Sequence, residues 1–286
     1  MRQLLILGFG YCAARFHRLY GHDYAAITAT QRPDSRAAMP DGVAPLPFSG
    51  VADAAFRSAV GEATDILATA PPDAEGDPFS AAVQTALAAG GGGRSLIYLS
   101  TVGVYGDHGG DWVDETTPSA PLSERGRRRV AAEQAWRALA ERHGRPLSIL
   151  RLPGIYGRGR SVLDDLVAGT ARRLVKPGQV FNRVHVDDIA AAIRLAFRTR
   201  QNRAFNIVDD EPAPPQDVTL FGARLLGLAP PIEVPFDQAA LSPMAKSFYD
   251  ENKRVSNRLA KQVLGWAPLY PSYREGLAAI AAERPR

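Results

Sequence analysis

Cysteine is almost missing from these 286 residues, with Cys12 standing alone. One cysteine excludes an intramolecular disulfide and a cysteine-built zinc cluster. Histidine is scarce as well. His17, His22, His108, His143 and His185 are scattered, and no two share the i, i+4 spacing of a helical metal pair, so no metal is expected. Lysine is confined to Lys176, Lys246, Lys253 and Lys261, and arginine supplies the other cations. No apolar run reaches the roughly 20 residues that cross a bilayer. The opening MRQLLILGFG is too short in apolar residues, and too broken by Gly8 and Gly10, to act as a secretory leader. These absences point to a soluble, cytoplasmic chain. The net charge of +4 is spread along the sequence and mixed with acids. That balance suits a weak pull on anionic ligands and argues against a nucleic-acid face.

A hydrophobic content of 45% and this length allow one large domain, or a domain with a smaller lobe. Short apolar runs alternate with helical patterns. Strands are expected at 4–7, 25–30, 43–46, 65–70, 96–100, 147–150 and 204–207. Helices are expected at 12–20, 52–60, 78–89, 123–143, 161–174, 186–199 and 217–226. The alternation implies an α/β fold with a parallel sheet covered on both faces. After Leu150 the pattern loosens and prolines gather from Pro212 to Pro235. A smaller, mostly helical lobe is expected at 156–286, after a main domain at 1–155, with 204–208 returning to the main sheet. Further helical patterns cover 252–264 and 272–281. Gly90–Gly93 reads as a turn before a strand; it opens no helix, so it is not a phosphate loop.

The stretch LLILGFGYCAARF places a buried strand, a glycine turn and a helix start in one window. Gly8 and Gly10 let the backbone turn sharply and approach a diphosphate with no side chain in the way. The helix N-terminus then favours the phosphates. Ala13 stands at the third small position of the pattern. This predicts a Rossmann-type, doubly wound sheet binding a dinucleotide through Gly8, Phe9, Gly10, Tyr11 and Cys12. The next strand ends AITATQRPDSR, without the acid that reads a free ribose 2′-hydroxyl. Thr30 and Arg32 stand there instead, and an arginine fork suits a 2′-phosphate. NADP(H) is therefore expected over NAD(H). The run ILATAPPD makes Ala70 and Pro71 cofactor neighbours or, equally, a structural turn.

With those residues stand LSTVGVYGD at 99–107, DETTPSAP at 114–121, LRLPGIYGRGR at 150–160, FNRVHVDDIA at 181–190, FNIVDDEP at 205–212 and SNRLAKQVLGW at 256–266. In this order they resemble the extended short-chain dehydrogenase/reductase superfamily, of the NAD-dependent epimerase/dehydratase type. The resemblance implies Ser100 beside the cofactor and Thr101 at the Ser/Thr position that meets the substrate oxygen. It also implies a Tyr-x-x-x-Lys pair on the following helix. That helix begins ERGRRRVAAEQAW, which puts Arg125 at the tyrosine position and Arg129 at the lysine position, with Glu133 one turn on. Arginine keeps its proton near neutrality, so it makes a poor general acid.

Three readings of this arginine-rich turn stand open: a solvated helix end, a clamp for the cofactor or an anionic substrate, and a nucleic-acid patch. No aromatic platform accompanies the last. Tyr105 and Tyr156 are the candidates for a substitute acid. His185 is expected in a structural role, with Asp187 or Asp188 capping the next helix or Asp188 tying the lobes together. Two functions follow. One is an NADP(H)-dependent oxidoreductase or epimerase/dehydratase acting on a small polar or anionic substrate, with Arg125 or Arg129 orienting a negative group. The other is a non-catalytic NAD(P)-binding regulator or sensor. The resemblance also implies a homodimer paired through 123–143.

Overall fold

The computed structural model describes residues 1–90, 92 and 95–284, so Gly91 and Gly93 of the turn expected at Gly90–Gly93 lie outside the described residues. By its internal contacts the chain divides into two compact units that interleave along the sequence. The first takes Met1–Thr101, Glu124–Arg151 and Ile189–Phe205; the second takes Val102–Ser123, Leu152–Asp188 and Asn206–Arg286. A single cut at residue 155 does not describe this arrangement. The polypeptide returns to the first unit after residue 188 to add one more helix and strand.

Strands with no polar alternation need cover on both faces, and the first unit supplies it. Its strands are β1 (Gln3–Leu7), β2 (Ala26–Gln31), β3 (Val43–Pro47), β4 (Asp65–Ala68) and β5 (Ser95–Thr101). The two-residue strand β6 (Trp112–Val113) belongs to the second unit; β7 (Leu147–Leu152) and β11 (Arg203–Asn206) complete the first. They form one seven-stranded sheet in the order β11-β7-β5-β4-β1-β2-β3. The pairings β3–β2, β2–β1, β1–β4 and β4–β5 are parallel. The order reverses between β1 and β4, and ligands of doubly wound sheets lie at the carboxyl ends of the strands at such a point. Helices α1 (Tyr11–Tyr20), α2 (Ala54–Glu62), α3 (Ser80–Ala88), α4 (Glu124–Arg142) and α6 (Val186–Thr199) accompany the sheet. On one side α2, α3 and α4 bury Phe56, Val83, Ala86, Trp136 and Leu139 against Tyr98 and Ile149 of the sheet. Each of the larger apolar side chains removed from water stabilises the fold by roughly 1.5–3 kcal/mol.

The second unit is built from short pieces. Its remaining strands are β8 (Gly154–Tyr156), β9 (Arg173–Val175), β10 (Arg183–His185), β12 (Glu233–Pro235) and β13 (Arg254–Val255). They make three parallel pairs: β10 with β8, β12 with β9, and β13 with β6. Its helices are α5 (Val162–Val167), α7 (Pro215–Leu225), α8 (Pro243–Ser247) and α9 (Tyr273–Ala282). Leu163, Leu166, Val218, Ala223, Leu277 and Ile280 pack together in its own core. The smaller lobe thus carries short strand pairs beside its helices. The helix expected at 161–174 stops at Val167 because Gly169, at φ +68°, turns the chain, and Leu174 belongs to β9. The helix expected at 252–264 survives only as a five-residue π-turn at Ala260–Leu264.

Candidate functional site

The turn after β1 is shaped from two sides. Gly8 has φ +88°, a conformation that side chains disfavour, and a Cβ there would lie 2.9 Å from the Ala70 Cβ. Its N–H donates to Thr30 Oγ1 at 2.8 Å, and Thr30 Oγ1 donates onward to the Ile6 carbonyl at 3.5 Å. Its carbonyl accepts from Thr69 Oγ1. The N–H groups of Thr69 and Ala70 both donate to the Leu7 carbonyl, at 3.0 and 3.2 Å. The ends of β2 and β4 therefore hold Gly8 by both of its backbone polar groups.

Beyond it, Gly10 is the N-cap of α1 and offers no side chain to cap the helix, whose first turn carries no acid. A Cβ on Gly10 would meet no atom within 4 Å. An uncapped helix start facing open space is a ready anion site. Ala13 is fully buried, letting α1 sit close on the sheet, and Cys12 is buried beside it. At the end of β2, the buried Gln31 Oε1 has no hydrogen-bond partner, and Arg32 is exposed in the turn that follows. Ala70, next to Gly8, and then Pro71 follow β4. These features fit a dinucleotide: a bare cradle for the diphosphate, an orphan acceptor near the ribose position, and a free-standing cation beyond it. Thr30 differs from its expected role. It is buried, and its hydroxyl is used on Gly8 and Ile6, so it shapes the turn from behind.

The helix that begins at Glu124 resolves its arginines one by one. Arg127 and Arg128 pair with Glu124 at 2.9 and 3.3 Å on the surface. These two form the solvated helix end. Arg125 is exposed. Arg129 turns inward: its Nη1 donates to the Leu99 carbonyl at 2.6 Å and to the Tyr98 hydroxyl at 3.1 Å. A fixed positive charge thus sits against the end of β5, two residues before the half-buried Thr101.

One turn further on, Glu133 is buried and grips Arg151 of β7 with two hydrogen bonds, 3.0 and 2.8 Å long. Ser100 Oγ donates to Glu133 Oε1 at 2.7 Å. Ser100, expected at the cofactor, is therefore buried and spent on this ion pair. Arg151 went unremarked in the sequence, although an arginine inside the apolar run LSILRL is the signal that a buried acid must lie opposite.

The two tyrosines considered as acids lie in the second unit, and both hydroxyls are engaged. Tyr105 is fully buried and donates to Asn206 Oδ1 at 2.8 Å. Asn206 in turn donates from Nδ2 to the Ser256 carbonyl and from its backbone to Glu115. Tyr156 donates to the Ser272 carbonyl at 3.3 Å, and burial pushes its pKa upward. His185 keeps the structural role: its Nδ1 accepts from the Asp187 N–H at 3.2 Å, and its ring packs edge-on to Tyr156 and Tyr270. Asp188 accepts from the N–H groups of Leu269 and Tyr270, and burial pushes its pKa up to about 6 despite those bonds. It ties two segments of the second unit together.

Comparison with known proteins agrees with this picture. Residues 80–208 match the NAD dependent epimerase/dehydratase family. A functionally unknown conserved protein from Silicibacter pomeroyi has the same structure over 99% of both chains, with 43% identity and a TM-score of 0.87. A dTDP-glucose 4,6-dehydratase from Bacillus anthracis, solved with NAD, shares the fold at a TM-score of 0.78 and 16% identity, over 99% of this chain and 96% of that one. A 3-diazoavenalumate denitrifying reductase from a Streptomyces species is 32% identical over 142 residues, which span 45% of this chain and 45% of the relative. No helix of the described residues is long and apolar enough to cross a membrane. Residues 80–208 thus match the NAD dependent epimerase/dehydratase family, and the chain as a whole has the fold of a dehydratase solved with NAD.

Proposed function

We propose that this protein is an NADP(H)-dependent oxidoreductase acting on a small, anionic organic substrate. The observation that carries the reading is the backbone of Gly8, clamped by two threonines, in front of an uncapped helix. Gly8 to Cys12 hold the diphosphate, with Ala70 and Pro71 alongside. Arg32 meets the 2′-phosphate; no carboxylate stands at the end of β2 to read a free hydroxyl. When bound, the nicotinamide supplies hydride exchange. Arg129, fixed on the Leu99 carbonyl, and the neighbouring Arg125 orient a negative group on the substrate, and Thr101 meets its oxygen. Neither arginine gives up a proton near neutrality, so α4 binds and orients without acid–base exchange. The partial relationship to a reductase whose substrate bears a diazo group favours the reductive direction.

Fluorescence titration with NADPH and NADH tests the cofactor. NADPH should bind more tightly, and Arg32→Ala should weaken NADPH by about tenfold while leaving NADH unchanged. Tighter NADH binding in the wild type sinks the preference. Stopped-flow turnover with NADPH, over carbonyl, sugar-nucleotide and diazo-carboxylate substrates, tests the chemistry.

A second reading, a non-catalytic dinucleotide-binding regulator, is favoured by one observation. The hydroxyls of Tyr105 and Tyr156 are both committed inside the fold, and α4 carries no tyrosine. Intact NADPH binding with no hydride transfer across the panel selects this reading.

A further inference from the structure

The second unit contains a guanidinium whose charge its own fold leaves uncompensated. Arg183 opens β10 and is largely enclosed, and burial pulls its pKa down. Nη1 donates to the carbonyls of Phe181 and Ala213, at 3.0 and 3.1 Å. Nε and Nη2 have no partner, and Arg183 forms no ion pair, among the described residues. The acid that acts on it most strongly is Asp209, whose backbone N–H donates to the Arg183 carbonyl. Both carboxylate oxygens of Asp209 are buried without a hydrogen-bond partner. Burial outweighs the opposing pull of Arg183 and pushes Asp209 up to about 8. An acid held near its neutral form cannot neutralise a guanidinium. Buried charges in folded proteins are paired, so this one lacks its counter-ion.

Two adjoining cavities, of about 470 and 330 Å³, are both lined by Arg183 and Tyr156. The neutral polar side chains around them are already occupied: Tyr156 donates to Ser272, Ser161 to Asp164, and Thr219 to Pro215. The smaller cavity has apolar walls from Val162, Val218, Tyr273 and Leu277. At the rims the exposed Asp165 is offset by the exposed Arg160 and Arg172.

We propose that this cavity binds a small organic acid, with its carboxylate on the Nε–Nη2 edge of Arg183 and its apolar body against Val162, Val218, Tyr273 and Leu277. With Nη1 used on carbonyls, that edge presents two parallel N–H groups, the geometry that pairs with both oxygens of a carboxylate. Apolar walls around one polar anchor favour an arylalkyl acid over a sugar, whose hydroxyls would find no free partners there. The site lies inside the second unit and needs no dinucleotide, so it stands or falls apart from the cofactor reading.

Calorimetry without dinucleotide tests it with 3-phenylpropanoate and its neutral amide as probes. The carboxylate should bind saturably, and the amide about tenfold or more weakly. Arg183→Met should abolish carboxylate binding. Because Arg183 also braces two carbonyls, Ala171→Phe, which fills the cavity from a partly buried position, serves as the second variant and should do the same with an unchanged melting temperature. The proposal is overturned if acid and amide bind alike, if the wild type shows no saturable carboxylate binding at millimolar levels, or if the Ala171→Phe variant binds undiminished.

Discussion

Thr30 and Thr69 show how single side chains make the cradle. A threonine at a strand end usually spends its hydroxyl on the nearest backbone, and here two strands spend theirs on the same residue, Gly8. Thr30→Val keeps the shape and the β-branch but leaves the Gly8 N–H unpaired. NADPH affinity should fall by about tenfold, kcat should be retained, and Thr30→Ser should restore binding. Equal affinity in the valine variant would show that the turn holds itself. A larger effect belongs to Arg151. Removing it as Arg151→Met strands a buried Glu133 carboxylate with only Ser100 and the distant Arg137, at 3.6 Å, to answer it. Unfolding in urea should show a loss of about 3–5 kcal/mol, the cost of an uncompensated buried charge.

Helix α4 carries the contrast at the scale of the element. Its first turns look uniformly basic, yet Arg127 and Arg128 share one exposed glutamate while Arg129 reaches the sheet. Alanine at 127 or 128 should change stability by less than about 0.5 kcal/mol, whereas alanine at 129 should cost more than about 1 kcal/mol, because the Leu99 carbonyl and Tyr98 hydroxyl lose a charged donor. Equal effects in urea unfolding would return Arg129 to the solvated group. The sequence could not separate these residues, since helical spacing says which face an arginine takes but not where its long stem ends. The strands of the first unit were legible for the opposite reason. Runs such as Asp65–Ala68 and Leu147–Leu152 are buried throughout, and a doubly covered strand leaves an unbroken apolar trace. The second unit left no such trace. Arg254–Val255 finds its partner in Trp112–Val113, far away along the chain. Around it Asn252, Lys253 and Asn257 donate to the carbonyls of Gly178, Gly106 and Val208. Those distant bonds replace the helix that local spacing suggests. The glycine turn was readable to the residue, while the inward roles of Thr30 and Ser100 depended on what lay across the sheet.

For the molecule as a whole, buried acids set how stability responds to pH. Asp209 titrates at about 8 in the folded chain, against 3.8 for a free side chain, because burial disfavours its charge. Between about pH 4 and pH 8 the unfolded chain has released this proton and the folded chain still holds it. The group's contribution is therefore fully present at low pH and is lost as pH rises toward 8. Asp188, raised to about 6 by burial, adds to the same slope only in its lower half. Asp209→Asn keeps the shape and cannot titrate. Urea unfolding from pH 5 to pH 9 should show wild type losing stability relative to the variant, by an amount on the order of a few kcal/mol; Asp188 is common to both and cancels in the difference. If the two curves run parallel across that range, Asp209 is ionised in the folded chain and paired with Arg183, and the guanidinium already has its counter-ion.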